Sequence, residues 1–272
     1  MIEFPGSKIN LGLRVSQKLD NGYHSLESIF LSTNFSDILE IIPLNESMQT
    51  QYYFSGLDIP GIEEDNIIYK AWNLLSKDYT IPSFEARLHK VIPMGTGLGG
   101  GSADASSMLK LLNKEFNLGI TFKELATYAK MLGADCPFFI NKTTSYLEGI
   151  GDKLSPLQLD LSPYHLLIIC PEVHISTKEA FNNIIAKPSE ENLINIINTY
   201  PMAQWKEHIY NDFEEFAFHM HPELEEIKSK IYEMGAIYAS MSGTGSSIYG
   251  IFKEEVEIDS GLKEFVSHWE KF

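Results

Sequence analysis

Five glycines, Gly95, Gly97, Gly99, Gly100 and Gly101, lie between Pro93 and a stretch from Ser102 whose apolar residues recur at helical spacing. Glycine has no Cβ to keep a ligand away and tolerates positive φ, so successive N–H groups can surround an anion. A helix that starts at the end of such a run adds the positive end of its dipole, and phosphate suits that environment. The candidate nucleotide-phosphate site is therefore Pro93, Met94, Gly95, Thr96, Gly97, Leu98, Gly99, Gly100, Gly101, Ser102 and Ala103. A mobile glycine spacer is the competing reading. A Pro-ended strand pattern on one side and a capped helical pattern on the other argue against it.

Three nucleotide motifs compete for this segment. A Walker A loop needs Gly-Lys-[Ser/Thr], and here Ser102 and Ala103 follow Gly101. Gly95, Gly97 and Gly100 satisfy the G-x-G-x-x-G spacing of a dinucleotide fold. That fold also needs an acid at a strand end about 20 residues on, and Glu115 falls within a helical pattern instead. A protein kinase needs H-R-D and D-F-G, and the chain has neither.

The elements that position this segment follow from periodicity. Residues 9–15 alternate as a strand, Asp20, Asn21 and Gly22 signal a turn, and residues 28–42 return to β-rich composition. Asp65 and Asn66 precede a helical pattern, and residues 84–92 alternate as a strand ending at Pro93. Ser102 is expected to cap a helix over 102–116, with Ala105, Met108, Leu109, Leu112 and Phe116 on one stripe. Thr121 and Glu124 form a capping box for a second helix ending near Gly133. Residues 155–163 give the best boundary, and a strand at 165–170 and helical patterns at 176–185, 190–198 and 222–234 follow. The expectation is a mixed α+β or α/β chain in two lobes, 1–155 and 156–272.

Composition excludes several partners. The formal net charge of -16 opposes nucleic acid and anionic membranes, whose recognition rests on Lys and Arg. Backbone N–H groups can still hold a single nucleotide. Cys136 and Cys170 are far apart, so neither a disulfide scaffold nor a cysteine zinc site is expected. Without a leader-like start or a long apolar run, a cytoplasmic protein is expected.

Phosphoryl transfer needs positioning, charge stabilisation and a group to take the acceptor hydroxyl's proton. Asp135 is the candidate base. It follows Gly133 and precedes Cys-Pro-Phe-Phe, where apolar neighbours would raise its pKa and a cation would lower it. An ordinary turn aspartate is the other reading. Lys8 precedes a strand pattern and reads equally as an exposed edge lysine. Asn10, two residues on, shares its strand face. Tyr23 and His24 lie beside the turn, where rings can meet a flat base. The Asn66 amide can contact adenine, although helix capping also explains it.

PMGTGLGGGSADAS (93–106) resembles the central motif P-x-x-x-G-L-G-[GS]-[GS]-S-[AS]-x-[AS] of the GHMP kinase superfamily. GSKINL (6–11) is similar to its P-[GA]-K-[IVL]-N-L, with proline displaced to Pro5. MSGTGSS (241–247) is similar to its C-terminal glycine loop. Within the superfamily, DNGYHSL (20–26), LGADCPFF (132–139) and NDFE (211–214) resemble the branch acting on a cytidylated methylerythritol. DNGYHSL departs from that branch's D-G-Y-H-x-L by Asn21.

The resemblance implies a ribosomal-protein-S5-domain-2-like N-terminal domain binding ATP and a ferredoxin-like C-terminal domain for substrate. It implies Asp135 as base with Lys8 as its partner, and 4-(cytidine 5′-diphospho)-2-C-methyl-D-erythritol as acceptor. Asn10, Tyr23, His24, Thr177, Phe181, Gly243 and Thr244 become substrate contacts, with cytosine recognised by His24 and aromatic stacking. Mg²⁺ is implied, with Ser102 as a ligand, in a monomer or homodimer. A GHMP kinase for homoserine or a mevalonate-type alcohol, and a nucleotide-binding protein without catalysis, stay open at this point.

Overall fold

The computed structural model describes every residue except Asn21, Glu46 and Glu190. Along the chain run β1 (Ile2–Glu3), β2 (Gly6–Lys18), β3 (His24–Ser36), β4 (Ile38–Pro43), β5 (Gln51–Gly56), α1 (Ile67–Leu75) and β6 (Phe84–Lys90). Then come α2 (Gly100–Glu115), α3 (Phe122–Leu132), α4 (Cys136–Asn141), β7 (Ser145–Glu148), β8 (Lys153–Pro156), β9 (His165–Cys170) and α5 (Thr177–Asn183). The chain ends with α6 (Leu193–Thr199), α7 (Trp205–His208), α8 (Phe213–Met220), α9 (Pro222–Glu233), β10 (Tyr238–Met241), β11 (Ile248–Phe252) and β12 (Val266–Lys271).

It packs as two compact units. One comprises Met1–Ser7, Asn34–Met94 and Gly99–Lys142, the other Lys8–Thr33, Gly95–Leu98 and Thr143–Phe272. These units interleave along the chain.

The first unit holds a sheet of order β1-β4-β6-β5, antiparallel except for the parallel β5–β6 pair. Strand β6 alternates as its sequence requires, with Phe84, Ala86 and Leu88 buried in the core and Arg87 and His89 exposed. Those side chains share a core with Ile68 of α1, Met108, Leu109 and Leu112 of α2, and Leu125 of α3. Burial of each Phe, Leu, Ile or Met among them stabilises the unit by about 1.5–3 kcal/mol. The Asn66 side chain accepts from the Ile68 N–H at 3.0 Å and starts α1. The expected capping box of Thr121 and Glu124 starts α3.

The second unit holds two sheets, β10-β11-β9-β12 and β2-β3-β7-β8. Helices α8 and α9 cover the first, with Phe213, Ala217, Leu224 and Ile227 packed against Leu167, Ile169, Met241 and Ile248. Strand β2 is buried continuously from Gly6 to Val15, the pattern of a strand covered on both faces. Gly12 sits within it at φ +68, and a Cβ there would come within 2.8 Å of Ile209 Cγ2. Only glycine accommodates both the left-handed backbone and that approach.

Several boundaries differ from expectation. Helix α2 starts at Gly100, with Gly99 (φ +70) as its N-cap and no side-chain cap bond, so Ser102 is not the cap. The helix at 176–185 is α5, capped by Ser176. That at 190–198 is Leu193–Thr199, capped by Asn192, and Glu190 lies outside the described residues. The turn at 20–22 closes through Gly22 N–H to Leu19 O at 2.9 Å, with Asn21 outside the described residues. Strand β5, helices α4, α7 and α8, the β7–β8 hairpin and β12 have no counterpart in the sequence reading.

Candidate active site

The glycine-rich segment is built from both of its ends. In the second unit, the Lys8 N–H donates to Leu98 O at 2.9 Å, and the Ser247 N–H donates to Thr96 O at 3.0 Å. The Ser242 hydroxyl donates to Gly97 O at 3.0 Å. Gly97 has φ +82, and a Cβ on it would lie 1.9 Å from Ser242 O, so no side chain fits there. These bonds hold residues 96–98 against β2 and the loop between β10 and β11.

In the first unit, Gly99 turns the chain into α2, whose first N–H groups have no intrahelical partner. A Cβ on Gly101 would meet nothing within 4 Å, so there is free space beside the first turn at that position. Beneath it lies a buried charge cluster. The Lys90 ammonium bonds Asp37 and, at 2.8 Å, Asp104 of α2. Asp37 Oδ1 also accepts the Val91 and Ile92 N–H groups at 2.6 and 2.8 Å. The cluster thus ties the strand entering the glycine segment to the helix leaving it. Burial pushes the Asp104 carboxyl up to about 8, with Lys90 opposing the rise and Asp37 adding to it. Burial lowers the Lys90 pKa, but the two carboxylates outweigh it and hold the ammonium above its usual value.

Asp135 precedes α4 in this same unit, partly exposed, at the helix N-cap position without a side-chain cap bond. The turn carrying it is fixed to α2, because the Ser106 hydroxyl donates to Cys136 O at 2.8 Å. Ser102, in the first turn of α2, hydrogen-bonds the Cys136 thiol, which burial pushes up to about 11. Among the described residues no three His, Cys, Asp or Glu side chains gather as a metal site. Mg²⁺ usually keeps several waters and is bound through one or two carboxylates plus substrate phosphates, and the Ser102 hydroxyl in the first turn of α2 is an oxygen donor of the hard type it prefers. Asn66 lines a cleft of about 200 Å³ with Tyr52, Phe54, Ile59 and Ile62.

The expected substrate residues lie in the second unit. Lys8, 3% exposed, donates to Asn10 Oδ1, and its ammonium sits 4.9 Å from the Phe30 ring centre. Asn10 Nδ2 donates to the Ser28 hydroxyl at 2.8 Å, and its N–H donates to the Ser242 hydroxyl at 3.3 Å. His24 and Phe181 rings stand 5.5 Å apart. Burial and Lys18 hold the His24 imidazole below its usual pKa, so it is neutral at neutral pH. Tyr23 is exposed beside the turn, and Thr177 and Thr244 hydroxyls lie 3.3 Å apart. The sequence reading missed Lys90, Asp37, Asp104 and Ser242. Lys90 had a signal, as a cation at an inward position of the alternating strand β6.

A glycine segment leading into a helix N-terminus, with a carboxylate on a turn fixed to that helix, suits a phosphate group beside a proton acceptor, the arrangement that phosphoryl transfer requires. The family model for the GHMP kinases N terminal domain matches residues 66–142, and that for the GHMP kinases C terminal matches 201–271. The chain belongs to the GHMP kinases, which use ATP as phosphate donor. A relative from Azobacteroides pseudotrichonymphae, named 4-diphosphocytidyl-2-C-methyl-D-erythritol kinase, is 47% identical over 93% of this chain and 94% of its own. A relative of the same name from Bacteroides fragilis is 46% identical over 95% and 94%. A crystal structure of 4-(cytidine 5′-diphospho)-2C-methyl-D-erythritol kinase matches with a TM-score of 0.77 and 27% identity, covering 92% of this chain and 89% of that one.

Proposed function

We propose that the chain transfers the γ-phosphoryl group of ATP to the 2-hydroxyl of 4-(cytidine 5′-diphospho)-2-C-methyl-D-erythritol, giving the 2-phosphate and ADP. The reaction belongs to non-mevalonate isoprenoid precursor synthesis. The observation that carries this reading is the His24–Phe181 ring pair in the same packed unit as Lys8, Asn10 and Thr244. A neutral imidazole presents one donor and one acceptor to a pyrimidine edge, and the phenyl ring gives its face.

The chemistry follows from these groups. Asp135 takes the proton of the 2-hydroxyl as its oxygen bonds to the γ-phosphorus, and the bond from phosphorus to the β,γ-bridging oxygen breaks. Lys8 supplies positive charge for the acceptor oxygen, and Asn10 holds the Lys8 ammonium in place. N–H groups of residues 95–102 hold the ATP phosphates, and Asn66 with its cleft takes the adenine. Mg²⁺, with Ser102 as a protein ligand, offsets phosphate charge when bound. The enzyme works in the cytoplasm as a monomer or homodimer. Among the described residues no helix is long and apolar enough to cross a membrane.

The test is ATP consumption with the cytidylated alcohol, mevalonate and homoserine in parallel. Turnover of the cytidylated alcohol alone is expected. Turnover of either other alcohol in its place would sink the assignment, and no turnover at all would favour a binding protein.

A further inference from the structure

The Asn211–Glu214 stretch has no part in the reaction just described, yet its polar side chains grip two backbone segments that carry site residues. Asn211 is 3% exposed. Its Nδ2 donates to both Met241 O and Gly243 O at 2.8 Å, and its Oδ1 accepts the Phe213 N–H at 3.0 Å. Every hydrogen-bonding atom of that amide is therefore directed, which fixes the side chain's orientation as well as its position. Glu214 grips the same loop at its root. Its Oε1 accepts the Met241 N–H at 2.8 Å and the Ser240 hydroxyl at 3.0 Å, while Oε2 accepts from Lys228 at 2.7 Å.

The stretch also holds β2. The Leu13 N–H donates to Tyr210 O at 3.1 Å, the Asp212 N–H donates to Leu13 O at 2.8 Å, and Asp212 Oδ2 accepts the Val15 N–H at 2.7 Å. The five residues from Tyr210 to Glu214 thus set the position of the loop bearing Gly243 and Thr244 against the strand bearing Lys8 and Asn10. A peptide plane is trans and rigid, so its C=O and the following N–H point in opposite directions. Asn211, by drawing the Gly243 carbonyl toward itself, turns the Thr244 N–H to the other face of the loop.

We propose that Asn211 is a positioning residue that presets the Thr244 N–H as a hydrogen-bond donor to the diphosphate of the cytidylated alcohol. The inference rests on the function proposed above and names how this part of the site is oriented. Gly243 at φ +60 permits the turn, and a Cβ on it would meet Gly97 Cα at 3.0 Å, so the loop reaches this orientation only with glycine there. The Asn211 amide then selects it among the orientations glycine allows.

The test is steady-state kinetics of Asn211→Asp and Asn211→Ser in the full-length enzyme, varying ATP and the cytidylated alcohol separately. Asp keeps the shape but sets carboxylate oxygens against two carbonyls, while Ser keeps one donor. The expected result is a rise in KM for the alcohol of about tenfold or more in Asn211→Asp, with a smaller rise in Asn211→Ser. KM for ATP rises less than KM for the alcohol, because the same loop touches residues 96 and 97 through Ser242, Gly243 and Ser247. Uniform loss of folded protein would instead lower kcat and leave both KM values unchanged. Tyr238→Phe, which removes a buried hydroxyl bonded to Ile209 O at 3.3 Å, serves as the structural control and leaves both KM values unchanged. Loss of kcat with both KM values unchanged in the Asn211 variants overturns the inference. Should Asn211→Asp not fold, an unchanged alcohol KM in Asn211→Ser overturns it equally. Wild-type enzyme that ignores the cytidylated alcohol overturns the function beneath it instead.

Discussion

The imidazole of His24 and the phenyl ring of Phe181 stand 5.5 Å apart with planes inclined by 36°. Phe181 in turn meets Phe213 edge-on, 4.8 Å between centres, so it is braced from the core side by a fully buried ring. This bracing gives the base-recognition role a sharp consequence. Phe181→Ala removes a stacking face, a loss of about 1–3 kcal/mol per base. KM for the cytidylated alcohol is expected to rise ~5- to 150-fold, with kcat and KM for ATP little changed. An equal loss with ATP would mean that Phe181 serves only the core.

Asp135 sits on a turn that the Ser106 hydroxyl fixes to α2. Asp135→Asn keeps the shape and removes the ability to accept a proton. Turnover is expected to fall by about 10²- to 10⁴-fold, the usual contribution of a general base. ATP affinity, measured by calorimetry on the same protein, stays near wild type. A variant that keeps more than about a tenth of the activity would remove Asp135 from this role.

Gly97 is the most constrained glycine of the segment. A methyl group there overlaps Ser242 O at 1.9 Å, and the residue is at φ +82. Gly97→Ala combines overpacking with left-handed strain and is expected to destabilise the fold by ~3–5 kcal/mol. Gly101→Ala is the contrast, because its Cβ meets nothing within 4 Å. Thermal unfolding of the two variants should separate them clearly. Equal melting temperatures would show that the loop moves away from Ser242.

Much of this architecture was legible in the sequence, for identifiable reasons. The Thr121–Glu124 capping box and the alternation of β6 are local signals that tertiary packing did not override. The start of α2 was misread because Ser102 has a strong cap preference, whereas Gly99 in a left-handed conformation begins the helix earlier. That difference leaves Ser102 inside the first turn, where its hydroxyl reaches the Cys136 thiol. Helix α4, six residues long, is too short to show a period. The Lys90–Asp37–Asp104 cluster joins residues up to 67 positions apart, and no local pattern encodes that pairing.

That cluster supplies a prediction on stability and pH. Burial raises the Asp104 carboxyl from 3.8 to about 8, so the folded protein holds its proton more tightly than the unfolded chain does. The stabilisation from this group is therefore complete below pH 3.8 and is lost as pH rises toward 8. Across that window one proton contributes a fall in unfolding free energy approaching ~1.4 kcal/mol per pH unit. Asp104→Asn removes the titration while its side-chain oxygen still accepts from Lys90. Urea unfolding between pH 5 and 8 should show a shallower decline for the variant than for wild type, with the gap between the two curves widening up to pH 8. Parallel curves would mean that Lys90 keeps Asp104 ionised throughout, as a partner cation does when Coulomb attraction outweighs the cost of burial.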